Sequence, residues 1–360
     1  MLTFVLGLTG CNLTGILDSG PGYCGDGACE PIEMRMGCTQ DCGAEAEDGA
    51  GDYEQRLMLG MMVHIEGWTG EEKDEDKFNK HVDAVLAMAD IFEANGAVAT
   101  FEARPEFIRA QDNWGRNVLQ ELKDRGHGVG IHADVGGQAP EDGTDLALMT
   151  KQLKDMRVEG DKLTGIKMKH ASGVCSKLDW AKALIDAGYE FTTGNVSYCA
   201  MSMPEEIRPE EYKNCESPMA CHETYPSNIN QVLHPWRVSD AQDWLYDDRD
   251  GELVIMASDG VLYGMAEEKE AGKVEKTKKD FTTEDLDVYI ERLEEALAAV
   301  DPGQVNTLYV AWSIGDADRA GDPLLDEWLK RVQPYVDENK VVWKSINDMY
   351  DEYRVWESGQ

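Results

Sequence analysis

From residue 56 onward the chain alternates short apolar stretches with amphipathic ones, and this alternation constrains the fold more than any other feature. Strand candidates are Leu57–Ile65, Ala97–Ala103, Gly128–Ala133, Gly165–Ala171, Tyr189–Thr193, Leu253–Ala257, Thr307–Trp312 and Val341–Trp343. Between the first two, Phe78, Val82, Val85, Leu86, Ala89 and Phe92 recur at helical spacing, and Asn95-Gly96 offers a left-handed stop. Trp114, Val118, Leu119 and Leu122 before Gly126 repeat the pattern, as do Leu286, Ile290, Leu293 and Leu297 after Thr282-Thr283. Such repetition predicts an α/β fold, a distorted (β/α) barrel of seven or eight parallel strands over residues 56–356. A barrel of this kind fits in 360 residues with room only for small additions.

In a parallel barrel the C-terminal strand ends face one mouth, so polar residues distant in sequence converge there. The first strand ends in His64-Ile65-Glu66, the third in His132-Ala133-Asp134 and the fourth in Lys169-His170-Ala171-Ser172-Gly173. Glu102 and Asp259 occupy comparable places on the second and sixth strands. His127, in a Gly-His-Gly turn, reads as structural, and His81 reads as a solvent-facing helical residue.

The N-terminal part differs in kind. Residues 1–10, MLTFVLGLTG, are an apolar run without a preceding Lys or Arg, and Leu8-Thr9-Gly10-Cys11 resembles the bacterial lipobox, in which the cysteine becomes lipidated. On that reading residues 1–10 are a lipoprotein signal peptide, Cys11 is the lipid anchor and residues 11–22 are a tether; the alternative is a fortuitous apolar stretch. Lipidation of one of the nine cysteines leaves eight, an even number suited to disulfides in an oxidising compartment. Cys24, Cys29, Cys38 and Cys42 fall in residues 23–43, which resemble the CGDG-type modules of exported bacterial proteins. So small a module needs cross-links or a metal, and its spacings favour disulfides over zinc. Residues 44–55 read as an acidic linker. Cys175, Cys199, Cys215 and Cys221 belong to the large domain, where residues 195–250 are expected to form a disulfide-braced insertion over the mouth, with Cys175 as a partner.

Charge narrows the partners. Seventy Asp and Glu against 34 Lys and Arg give a formal net charge of -36, which repels phosphate backbones and anionic lipid surfaces. Nucleic acid is therefore not an expected partner, and contact with a membrane is expected only through a lipid anchor. Beyond the N-terminus no stretch approaches the roughly 18 apolar residues of a membrane span.

Several stretches, in order, resemble the polysaccharide deacetylases with the NodB-type fold: Asn95-Gly-Ala-Val-Ala-Thr-Phe101, Arg125-Gly-His-Gly-Val-Gly-Ile-His132, Gly188-Tyr189 and Asn339-Lys-Val-Val-Trp-Lys-Ser-Ile-Asn-Asp-Met-Tyr350. The resemblance spans roughly residues 57–355 and implies removal of acetyl groups from amino sugars with a divalent metal. In that family an aspartate and two histidines hold the metal, beside an aspartate base and a histidine acid. This chain departs from the pattern. Glu66 stands at the metal-binding carboxylate, Ile65 at the base, and Gly136 where a second histidine belongs. Tyr309-Val-Ala-Trp-Ser313 lacks the late histidine, and Ala171 and Ser172 replace a Pro-Tyr pair.

Strand residues two apart share a face, so His64 and Glu66 can point one way from the first strand, and His132 and Asp134 from the third. Four such ligands suit zinc or another first-row divalent ion; the alternative is a set of hydrogen-bonded residues at a barrel rim. Glu66 is also a catalytic candidate, and His170 reads either as the acid or base or as a packed residue. In His234-Pro-Trp236-Arg237, Trp236 offers a face for a sugar and Arg237 a hold on an acidic or amide group, against ordinary packing. Two functions follow: a metal-dependent hydrolase of an envelope or extracellular polysaccharide, or a catalytically inactive carbohydrate-binding or envelope-interaction lipoprotein.

Overall fold

The computed structural model describes residues 56–67, 69–135, 145–271, 280–314 and 322–359. The expectations for residues 1–55, including Cys11, Cys24, Cys29, Cys38 and Cys42, and for Gly136, lie outside the described residues. The strands are β1 (Leu57–Ile65), β2 (Thr100–Ala103), β3 (Gly128–His132), β4 (His170–Ser172), β5 (Phe191–Thr192), β6 (Trp236–Val238), β7 (Leu253–Ile255), β8 (Thr307–Ser313) and β9 (Val341–Trp343). The helices are α1 (Glu75–Ala94), α2 (Pro105–Asn113), α3 (Val118–Asp124), α4 (Leu146–Thr164), α5 (Trp180–Ala187), α6 (Ile229–Leu233), α7 (Met265–Ala271), α8 (Thr283–Ala298), α9 (Pro323–Asp337) and α10 (Ile346–Ser358). Among the described residues no helix is long and apolar enough to cross a membrane.

The strands form one curled sheet in the order β6-β7-β5-β4-β3-β2-β1-β8, with β9 beside the start of β1. Every pairing is parallel except that of β6 with β7. Beyond β7 the chain bends back to β8: Asp259 N–H donates to Tyr309 O at 2.8 Å, Ala311 N–H to Gly260 O at 2.7 Å, and Val261 bridges Ala311. This curls the sheet into the distorted barrel expected from the alternation, and β6 is an addition that the sequence did not announce.

The period-two alternation of β1 explains both sides of its wall. Leu57, Leu59, Met61, Val63 and Ile65 belong to the outer core against the helices, while Met58 and Met62 belong to a second core inside the barrel. Helix ends are set locally. Asp74 accepts from Lys77 N–H at 3.1 Å to start α1, and Thr282 with Asp285 forms a reciprocal capping box at α8. α10 enters the barrel from the N-terminal strand ends, placing Ile346, Met349 and Tyr350 against Met58 and Phe191.

Residues 195–250 do not stay at the mouth. They carry the bridge Cys215–Cys221 and are tied back by Cys175–Cys199. The chain then descends: Thr307 Oγ1 donates to Leu233 O at 3.4 Å and His234 Nδ1 to Val305 O at 3.1 Å, which brings α6 to the start of β8. β6 follows as an antiparallel edge on β7. From α6 onward the insertion therefore lies against the start of β8 and not over the mouth.

Candidate metal centre

Register brings the chemistry together. His64 lies level with Glu102 on β2 and with Ser313 on β8, and His132 lies level with Ser172 on β4. All point inward by the alternation that sends Met62 and Thr100 inward one step below. Glu66 and Asp134 follow the last strand residues, so they stand at the rim.

Their contacts form one continuous network. His132 Nε2 is 3.0 Å from Glu66 Oε2 and 3.3 Å from Asp134 Oδ1, while its Nδ1 is 2.9 Å from Ser172 Oγ. Ser313 donates to Glu66 Oε1 at 2.7 Å, and Arg104 Nη1 donates to Asp134 Oδ2 at 2.5 Å. The His64 ring stacks on His132 with centroids 3.8 Å apart, and its Nε2 is 3.4 Å from Glu102 Oε2. Glu102 Oε1 accepts from Thr193 Oγ1 at 2.6 Å and lies 3.0 Å from His170 Nε2. Asp134 adopts a left-handed backbone with φ 52°, a strained conformation for a non-glycine residue and one that recurs at functional sites. Gly173 opposite must be glycine, because a Cβ there would lie 2.8 Å from Asp134 N.

Three carboxylates thus crowd two stacked imidazoles, and Arg104 pairs with Asp134 at the edge of the cluster. Burial alone would raise the Glu66 carboxyl, but the hydrogen bond and charge of His132, with His64 and Ser313, hold it below the ordinary carboxylate range. Burial would likewise raise Glu102, and the imidazoles of His170 and His64 hold it low. His132 is pulled both ways: burial lowers it, and Glu66, Asp134 and Glu102 together raise it above the ordinary imidazole range. The donor set, imidazole and carboxylate with excess negative charge, therefore fits a divalent cation. Glu66, His132 and Asp134 each offer an atom within 4.8 Å of the others, and so do His64, Glu102 and His132.

Of the four expected ligands, Glu66, His132 and Asp134 meet directly, and His64 joins through the ring stack and Glu102. Five other residues read from the sequence lie away from the cluster at the mouth, His170 and Trp236 in the packed alternative that was open for each. His170 does not reach the mouth: it is fully buried beneath Glu102, with its ring stacked on Phe191 at 4.4 Å. Trp236 is buried, its indole N–H donating to Trp244 O at 2.6 Å. Arg237 points to the opposite end, forking onto Glu357 of α10, one bond at 2.7 Å, and donating to Gly251 O at 2.7 Å. Neither side chain is free to meet a sugar: Trp236 is packed on Trp244 and Arg237 is engaged by Glu357. Asp259 faces outward, accepting from Arg292 Nε at 2.8 Å, and burial pushes its carboxyl up to about 6. His81, read as solvent-facing, is fully buried with Nδ1 2.6 Å from Glu71. His127 is structural, its Nδ1 accepting from Ala99 N–H at 3.1 Å.

Glu102, Thr193 and Ser313 entered no ligand set from sequence. Glu102 carried a signal, a charge in phase with Thr100 at the end of an apolar strand; Thr193 and Ser313 carried none, since hydroxyls are ordinary at strand ends.

No protein-family profile matches the sequence, and no curated protein does. Solved structures do match. A protein assigned as a polysaccharide deacetylase from Mycobacterium smegmatis aligns over 84% of this chain and 91% of its own, with TM-score 0.52 and 11% identity. One so assigned from Pseudomonas aeruginosa PAO1 aligns over 83% and 90%, with TM-score 0.53 and 10% identity. The Puue allantoinase aligns over 85% and 91%, with TM-score 0.53 and 10% identity. Matches at such identity speak to the fold, and over nearly the whole of each chain they say that this protein carries, in divergent form, the distorted (β/α) barrel of the polysaccharide deacetylases.

Proposed function

We propose that the chain is a metal-dependent hydrolase that removes acyl groups from an envelope or extracellular polysaccharide, and that it is exported and held at the membrane through Cys11. The observation that carries this reading is the meeting of Glu66, His132 and Asp134 at the C-terminal mouth of a barrel shared with deacetylases. With His64 beside them these residues would hold the ion, zinc by the chemistry of the donors. A bound divalent ion there supplies Lewis acidity and an acidified water. The protein's own part is positioning: Ser313 and His132 fix the two oxygens of Glu66, Arg104 fixes Asp134, and Ser172 orients the His132 ring.

One observation favours a second reading, a carbohydrate-binding protein without catalysis. Ile65, at the base position of the resembled family, is packed in the outer core, and His170 is sealed beneath Glu102, so neither supplies a proton-transfer group at the mouth. The experiment that separates the two is metal content of the purified protein with acetate release from acetylated polysaccharides. About one ion per chain, with release abolished in His132→Ala, supports the hydrolase. No bound ion and no release, with retained glycan binding, leaves the binding protein. Cys11→Ala tests the anchor separately, since membrane association that survives it rules the lipid out.

A further inference from the structure

The innermost charge of the centre has no role in the reading above. The Glu102 side chain is wholly inaccessible, and its two oxygens differ: Oε1 takes the Thr193 hydroxyl and His170, while Oε2 accepts no hydrogen bond among the described residues and meets only an ion-pair contact there, with His64 Nε2 at 3.4 Å. A buried carboxylate oxygen left in this state is costly unless a cation meets it. The stacked His64 and His132 rings lie at that oxygen, one atom of each within 4.8 Å of it and of one another. Two imidazoles and one carboxylate are a donor set that catalytic zinc sites use, with a further position left open.

Resting on the metal-dependent reading but revising its ligand set, we infer that Glu102 is itself a ligand, so that His64, Glu102 and His132 hold the ion one layer deeper, in place of Glu66 and Asp134. The surroundings are built for that role. Ligating carboxylates are normally fixed by hydrogen bonds to their second oxygen, and Thr193 and His170 do this for Oε1. Space for His170 exists because residue 130 is glycine; a Cβ there would collide with the imidazole ring. Glu66, held by Ser313, and Asp134, held by Arg104, then remain above the ion as carboxylates on the substrate side. The histidine missing at Gly136 is replaced by His64, and the aspartate of the resembled family by a glutamate from a different strand.

The test is zinc affinity of the full chain, stripped with chelator and titrated in competition with a chromogenic chelator, for wild type, Glu102→Gln and Glu66→Gln. Glu102→Gln should lose more than about 100-fold, beyond the 10- to 100-fold typical of an outer-shell partner, and Glu66→Gln less than about tenfold. A Glu102→Gln protein within about tenfold of wild type, or one that outbinds Glu66→Gln, overturns the assignment while leaving the metal-dependent reading intact. Because Glu102→Gln can fail to fold, zinc loading of the wild type is also followed by nitrogen NMR of the histidines. His64 should move to a metal-coordinated shift together with His132, and a His64 signal unmoved by zinc overturns the assignment. A wild-type chain that takes up no zinc removes both the hydrolase reading and this ligand set.

Discussion

The two halves of the barrel interior are lined by the same strands and do opposite things. The lower half is a plug in which Met58, Met62, Met256, Tyr309, Met349 and Tyr350 pack together, and the Tyr309 hydroxyl donates to Met256 O at 2.5 Å and accepts from Gly194 N–H at 3.0 Å. The upper half is a cluster of carboxylates and imidazoles. On β1 the change takes a single step from Met62 to His64. Alternation decides that a residue faces inward; its height decides whether it meets α10 or the mouth. Polar chemistry is sustained in the upper half because its carboxylates and imidazoles pair with one another and the rim admits solvent, whereas the lower half is lined mainly by apolar side chains.

Phe191 is the seam between them, stacked on His170 from below at 4.4 Å and on Tyr350 at 4.4 Å. Phe191→Ala should therefore give the largest effect, a loss of about 3–5 kcal/mol in denaturant unfolding, as for other buried aromatics. If the halves are separable, zinc affinity of the folded variant stays near wild type; a collapse of affinity would mean that the plug sets the geometry of the centre.

The upper half should respond to pH in a way that the lower half cannot. His132 has a folded value above the ordinary 6.5, so in metal-free protein its contribution is fully present below that pH and is lost as pH rises through the raised value. Glu66 has a folded value below the ordinary 4.5, so its contribution is present above that pH and is lost as pH falls through the lowered value. Both are present between about 4.5 and 6.5. Chelator-treated wild type should therefore lose stability from pH 6 to pH 9 relative to His132→Asn. Zinc-loaded protein should slope the other way, because ligation needs a neutral imidazole. Equal slopes for wild type and His132→Asn would remove the Glu66–His132 pair as an electrostatic unit.

The smallest effect belongs to Arg237→Ala, at the far end of the molecule. Loss of the partly exposed pair with Glu357 should cost about 1 kcal/mol and leave metal and glycan binding unchanged. A selective loss of glycan binding would return Arg237 to the substrate site.

Much of this organisation was legible in the residues. β1 was read to its bounds because nine consecutive residues fit a strand buried on both faces, and β9 likewise. The cluster at the mouth was legible too, since strand ends, same-face spacing and the family resemblance together singled out His64, Glu66, His132 and Asp134, which the structure brings close. Short strands were read too long: β5 keeps two residues of the expected Tyr189–Thr193, because ladder pairing with β4 and β7 lasts no further. β6 was missed because Trp236–Val238 is a strand only by virtue of its neighbour β7. His81 looked exposed because nothing near it in sequence shows that Glu71 folds back over it.

What the sequence determined by itself is what depends on spacing: the α/β alternation, the two faces of each strand, the helix caps and the set of residues able to reach the mouth. Tertiary structure decided what depends on height and distance. It put Glu102 level with His64, sank His170 beneath both, packed Trp236 on Trp244 and paired Arg237 with Glu357. The physical reason is that alternation repeats every two residues and is written in the chain, whereas register between strands comes from hydrogen bonds to partners that the local sequence does not name.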